Sequence, residues 1–336
     1  MQQVFAYSLN AVMPILLLIL CGYIGQRAGY LSEKTITEIN KYNFRFGFFS
    51  MLFVNIYNVD VHKALPLMLL ALTMGILVLL TLIGWGASAF LTKEKYRRGI
   101  LTQAAFRSNY AVIGIMLAET LAGPEAVSLV AMFQLPAVLY FNVMSVLVMS
   151  IYSDSEEKPS PVDVLIKMVK NPIIQGILAG TVCLVIRMNL PAGRNGEPIF
   201  TLRNNLPWIM TAFTHLSRMC SPLALIVLGA SLKIEQTKAL KKELISGVVM
   251  RLVMAPVIGF GILIAAADSG LLVLTPVESA VMVSLFGSPL ATSTAIMARE
   301  MGADKDLAAQ LVVWTSVLSM FTLFVIVAML RRMGLL

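Results

Sequence analysis

Ten apolar stretches, set apart by charge, Gly or Pro, occupy most of this 336-residue sequence. They run over about 5–28, 38–58, 66–91, 96–121, 125–151, 171–189, 206–231, 243–267, 277–300 and 306–331. One helical crossing of a bilayer takes about 20 apolar residues. The chain therefore reads as an all-α polytopic membrane protein with ten transmembrane helices and short loops. Composition points the same way: 58% of residues are apolar and 13% charged, against about 45–50% and 25% in a soluble domain. That balance excludes a disordered chain, a nucleic-acid binder and nearly all soluble enzymes.

The net charge of +8 belongs to loops, because cytoplasmic loops of membrane proteins collect Lys and Arg. With the N-terminus placed outside, fifteen cations fall on the cytoplasmic side. They are Arg27, Lys34, Lys93, Lys95, Arg97, Arg98, Lys158, Lys167, Lys170, Lys233, Lys238, Lys241, Lys242, Arg299 and Lys305. Six face outward: Lys63, Arg187, Arg194, Arg203, Arg331 and Arg332. Both termini are thus expected outside. Met1 to Asn10 holds no Lys or Arg, so the first run is read as a retained helix and not a cleaved signal. Cys21, Cys183 and Cys220 lie in apolar runs and read as small buried hydrophobes.

The most polar run, Ser153 to Pro161, divides the chain into halves 1–151 and 171–336 joined by a linker at 152–170. The halves resemble each other. Pro14-Ile15, Ile19-Leu20 and Gly22 recur as Pro172-Ile173, Ile177-Leu178 and Gly180, 158 positions on. Phe106-Arg107-Ser108-Asn109-Tyr110-Ala111 stands opposite Phe286-Gly287-Ser288-Pro289-Leu290-Ala291, 180 positions on. Five crossings per half is an odd number, so the second half should enter the membrane inverted, the plan of many secondary transporters.

Both hexapeptides sit in the middle of their runs, the fourth and the ninth. Pro289 removes an amide donor and clashes with the carbonyl four residues back, and the Asn109 side chain can cap freed backbone groups. Two helices broken at matched depth would bring half-helix ends together near the midplane. Their N-terminal ends carry partial positive charge and free N–H groups. With Arg107 they form a site for a carboxylate. An arginine at this depth costs at least about 2.5–3.5 kcal/mol on insertion scales, and it lies some ten residues from either end of its run. Glu119 and Gln134 are candidate coupling groups, and Asn142 could hydrogen-bond the fourth helix. Arg45 and Arg218 pair when Phe49 is set opposite Pro222, and both are read as snorkelling. His62 and His215 have no metal-ligating partner at useful spacing, and neither a metal nor a cofactor is expected.

With these residues laid out, the sequence resembles the auxin efflux carrier family, whose bacterial members include malonate and malate permeases. Asn171-Pro172-Ile173-Ile174 opens the sixth run as in that family. Ser221-Pro222-Leu223-Ala224-Leu225, running on to Leu228-Gly229-Ala230-Ser231-Leu232, is similar to its Pro-Leu-Ala…Leu-Gly-Ala-Ser-Leu motif. Arg251-Leu252…Pro256 resembles its eighth-helix signature, and Asn109 with Gly114 and Pro289 resemble its two crossovers. The resemblance implies two inverted repeats with crossed broken helices four and nine. It also implies a scaffold of helices one, two, six and seven, often dimeric, against which the other six move. Two departures stand out: Phe49 replaces a family proline in helix two, and Ile115 and Met116 stand where many members have another.

The leading expectation is a secondary transporter of a small organic anion in a bacterial inner membrane. Arg107, Ser108, Asn109, Tyr110, Ser288, Pro289, Leu290 and Phe49 would surround the substrate. A sodium-coupled bile-acid-type symporter is the nearest alternative within transport, and a receptor without flux a more distant one. No nucleotide-binding motif or HExxH is present, so gradients and not hydrolysis should supply the energy, and an enzyme is not expected.

Overall fold

A computed structural model describes residues 2–58, 66–110, 114–152, 162, 166, 169–191, 199–232 and 239–336. Helix α1 covers Gln2–Arg27. Ser32 caps α2 (Glu33–Tyr42) by accepting the Thr35 N–H. A π-turn over Asn43–Gly47 carries α2 directly into α3 (Phe48–Tyr57). Next come α4 (Leu67–Leu91), α5 (Lys95–Phe106) and α6 (Ile115–Ile151). Asn171 caps α7 (Pro172–Asn189), with Pro172 in the first turn, where its missing N–H costs nothing. The short α8 (Leu202–Asn205) precedes α9 (Pro207–Ala230). Helix α10 (Lys241–Val249) passes through a second π-turn, Met250–Met254, into α11 (Ala255–Asp268). A capping box between Thr275 and Glu278 opens α12 (Pro276–Phe286). The chain ends with α13 (Ser293–Glu300) and α14 (Lys305–Arg332).

Among the described residues, six helical stretches are long and apolar enough to cross a bilayer: Leu67–Leu91, Met132–Ile151, Pro172–Asn189, Pro207–Ala230, Lys241–Asp268 and Lys305–Arg332. The fold is therefore all-helical and multi-pass. The fourth and ninth apolar runs are not single rods: each is broken, into α5 and α6 and into α12 and α13. The fifth run is the second part of α6. It is set off where Ala122 leaves helical geometry and Gly123 turns to φ +74°, a left-handed value that suits glycine.

Close approach of backbones organises one group of helices. Helix α1 lies along α9 because Gly22 and Gly229 have no side chain. A Cβ on either would collide with the main chain of Ile226 or Ile19. Helix α7 lies along α3 in the same way, and a Cβ on Gly176 would come 2.6 Å from the Phe49 carbonyl oxygen. Small residues permit such contacts in lipid, where apolar burial gives little drive for association. Helices α4 to α6, α11, α12 and α14 surround a core that includes Leu80, Phe106, Phe133, Leu263, Val283 and Leu323. Another core, with Phe48, Leu52, Leu225, Leu228, Ile296 and Leu311, runs between the two groups.

At one end, Arg97 of α5 donates to Glu243 of α10 at 3.0 Å and to Asp304, the cap of α14, at 2.9 Å. This joint is partly shielded, with side-chain exposures of 21% for the arginine and 11% for each acid. Arg97→Met strands two carboxylates beside each other. We expect a loss of about 2 kcal/mol, between the values for exposed and fully buried pairs. It should read out as a lower thermal-unfolding midpoint in detergent; an unchanged midpoint would mean that solvent already screens the pair.

Candidate functional site

The two broken runs unwind where their sequences lose helical support. Helix α5 ends at Phe106, and Arg107 is extended, with φ −86° and ψ 111°. Helix α12 ends at Phe286, and the chain re-enters a helix at Ser293 after Pro289, which has no N–H to give. The bared backbone is satisfied across the gap. Ser108 and Leu290 form an isolated antiparallel bridge, and the Asn109 N–H donates to the Pro289 carbonyl at 2.8 Å. The Leu290 N–H reaches the Thr315 hydroxyl of α14 at 3.1 Å. Each unpaired group in hydrocarbon costs several kcal/mol, so each break needs its partner at the same depth.

Arg107 is 2% exposed and turned into the protein. Its Nη1 donates to Gln103 Oε1 at 3.0 Å and contacts Met297 Sδ at 2.9 Å. Its Nη2 donates to Asn142 Oδ1 at 2.9 Å and to Ser293 Oγ at 2.7 Å. Helices α5, α6 and α13 thus hold one guanidinium together. All four of these partners are neutral: the charge is oriented but not neutralised.

Arg107, Ser108 and Asn109 line a cavity of about 40 Å³ with Asn142 of α6, Ser221 of α9 and Ser293 of α13. Phe48, Met51 and Leu52 of α3 form its apolar wall. The space suits about one water molecule, so a carboxylate enters only if the walls part. Ser108 Oγ and Asn109 Nδ2 are buried in this lining without a hydrogen-bond partner among the described residues, as is Gln103 Nε2 behind it. A buried polar atom left bare costs about 1–3 kcal/mol, and here two of them stand beside an unneutralised cation. The arrangement fits an anion.

Of the residues the sequence nominates, the structure brings Arg107, Ser108 and Asn109 to this cavity. Pro289 and Leu290 build the crossing without lining it. Ser288 donates to the Ser284 carbonyl, and the Tyr110 hydroxyl to the Val130 carbonyl at 3.3 Å. Phe49 is displaced from its expected place: it packs against Phe53 and Phe213, at centroid distances of 6.4 and 6.1 Å. Helical periodicity explains the correction, since Phe48, Met51 and Leu52 share one face of α3 and Phe49 lies about 100° round it. Glu119 is exposed on α6 and Gln134 half-buried there; neither lines the cavity. His62 lies outside the described residues.

Thr292 and Ser293 are additions that no sequence signal marked, being small polar residues within apolar runs, and Ser221 is marked only as part of a family motif. So is Arg251. It is 1% exposed in the second π-turn, and its Nη2 donates to the carbonyl of Phe286, the last residue of α12, at 2.7 Å. A cation there caps carbonyls freed by the helix break.

Comparison with known proteins gives two findings. A family model described as a membrane transport protein matches residues 7–327. The chain is also 24% identical over 330 residues to a protein of Methanothermobacter thermautotrophicus named an uncharacterized transporter, covering 96% of this chain and 98% of that one.

Proposed function

Since this chain belongs to the auxin efflux carrier family of membrane transport proteins, we propose that it is a secondary transporter of a small organic anion. A carboxylate such as malonate, malate or an auxin-like acid would bind at the crossing of the broken helices. The observation that carries this reading is Arg107, fully buried and surrounded by neutral partners beside the bare Ser108 and Asn109 groups. Among the described residues the cavity lining holds no carboxylate, which disfavours a sodium cage of acidic ligands.

We further read the chain as two inverted five-helix repeats. Their breaks stand 180 positions apart and pair antiparallel. The repeated glycines Gly22 and Gly180 support it too: each lies where the first helix of one half meets the second helix of the other, α1 on α9 and α7 on α3. In this reading α1 to α3 and α7 to α9 are a scaffold. The other helices are a transport domain moving against it, and the narrow cavity widens as the α3 and α9 wall parts from α5, α6 and α13. The Lys and Arg distribution supports an outer position for the first residues of α9.

The test is flux. Purified protein in liposomes should accumulate radiolabelled malonate, malate or indole-3-acetate with saturation, and imposed sodium, proton or potential gradients should identify the driving force. Uptake no faster than in protein-free liposomes for every carboxylate would refute the proposal.

A further inference from the structure

One face of α9 runs the length of the molecule. In steps of three and four, Thr211, Thr214, Arg218, Ser221, Leu225 and Leu228 project from the same side. Their burial changes sharply along that face. Thr211 and Arg218 are exposed and Thr214 half-buried, whereas Leu225 and Leu228 are each 3% exposed. The change falls at Ser221, which lines the crossing cavity. Beyond it Leu228 is sealed against Ile296 of α13, leaving a gap of about 20 Å³. The face is open on one side of the site and closed on the other.

Arg218 lies in the open half. It is eleven residues from Pro207 and twelve from Ala230, roughly 16–18 Å from either end at a rise of 1.5 Å per residue. That is farther than an arginine side chain reaches, so snorkelling along the helix does not bring its charge to the interface. Facing lipid at mid-depth it would cost about 2.5–3.5 kcal/mol or more, and ionisable residues at such depth face water-filled space instead. A cavity of about 280 Å³ lies beside it, lined among the described residues by Arg203, His215, Arg218, Thr211 and Thr214, with no acidic side chain among them. Arg203 is steadied by Asn58 Oδ1 at 3.4 Å. The large cavity at the other end of α9, about 590 Å³, differs: there Arg27, Arg299 and Lys305 are faced by Glu33 and Asp306. Among the described lining residues, only the first of these two is cationic without opposition.

We propose that Arg218, Arg203 and His215 form a second anion site on α9, which captures the dissolved carboxylate one helical turn from the crossing cavity and passes it along the same face to Ser221 and Arg107. The proposal rests on the organic-anion reading above and adds the place of capture and the side from which substrate arrives. A lipid phosphate shares the chemistry of a carboxylate, so the test separates them.

The full chain is reconstituted in phosphatidylcholine vesicles and supplied with malonate, malate and indole-3-acetate. For whichever carboxylate the wild type carries best, Arg218→Ala should raise KM about tenfold with kcat within twofold, and Arg218→Lys should restore most of the loss. Added salt should weaken uptake by the wild type more than by the alanine variant. Independently of flux, Arg218→Cys should react with a membrane-impermeant thiosulfonate, and the carboxylate should slow that reaction. Wild-type KM in the alanine variant, or labelling indifferent to the carboxylate, overturns the capture site and leaves the crossing site standing. Effects that appear only when phosphatidylglycerol is added assign the cavity to a lipid headgroup and overturn it also. No carboxylate flux in the wild type removes both readings together.

Discussion

Arg107→Ala should weaken carboxylate binding by about 10- to 100-fold while the protein still folds. A hydrogen bond to a charged group contributes about 1.5–3 kcal/mol, and each 1.4 kcal/mol is a factor of ten in affinity. Among the described lining residues Arg107 supplies the only charge, and its burial limits screening by solvent. Folding has less at stake. The groups left behind, on Gln103, Asn142, Ser293 and Met297, are neutral, and removing a buried guanidinium also removes its desolvation cost. Arg107→Lys keeps the charge but not the planar fork that reaches α5, α6 and α13 at once. Its affinity should lie between the two. Calorimetric titration of each variant, with thermal unfolding as the folding control, checks the order. Equal affinity in a folded alanine variant would detach the anion from the crossing.

The helical runs are legible in the sequence because a bilayer leaves a chain little freedom: twenty apolar residues must pair their own backbone. The breaks are legible for the same reason, since Arg107-Ser108-Asn109 and Gly287-Ser288-Pro289 are poor company for an uninterrupted helix in oil. What the sequence conceals is direction. Once a helix unwinds, neighbours no longer follow a fixed angular step. Ser108 and Asn109 therefore reach the cavity while Tyr110 turns to the Val130 carbonyl and Ser288 to Ser284. On the intact α3 the step is regular, yet the choice between Phe48 and Phe49 depends on which neighbour each face meets, and that is tertiary information. Arg251 is marked as part of a motif, but its partner on α12 is not, because a π-turn shifts the register of a helix without any mark in composition.

Tying α2 to α13 should stop transport without preventing binding. Asn40, 1% exposed on α2, donates to Glu300 Oε1 at the end of α13 at 2.7 Å. In the proposed cycle α13 travels with the transport domain and α2 stays with the scaffold, so this contact has to break at every turn. In a protein carrying both Asn40→Cys and Glu300→Cys, a short bis-thiosulfonate bridging the pair should reduce uptake to the level of protein-free vesicles. Reductant should restore it, and each single variant should transport normally after the same treatment. Carboxylate capture at Arg218 should persist in the bridged protein, because α9 is exposed on its Thr211 and Arg218 side and the bridge fixes that state. Loss of flux with binding retained is what a moving barrier requires. Undiminished flux through the bridged protein would mean that α13 does not slide past α2, and substrate would then cross by a route that opens without the two groups of helices parting.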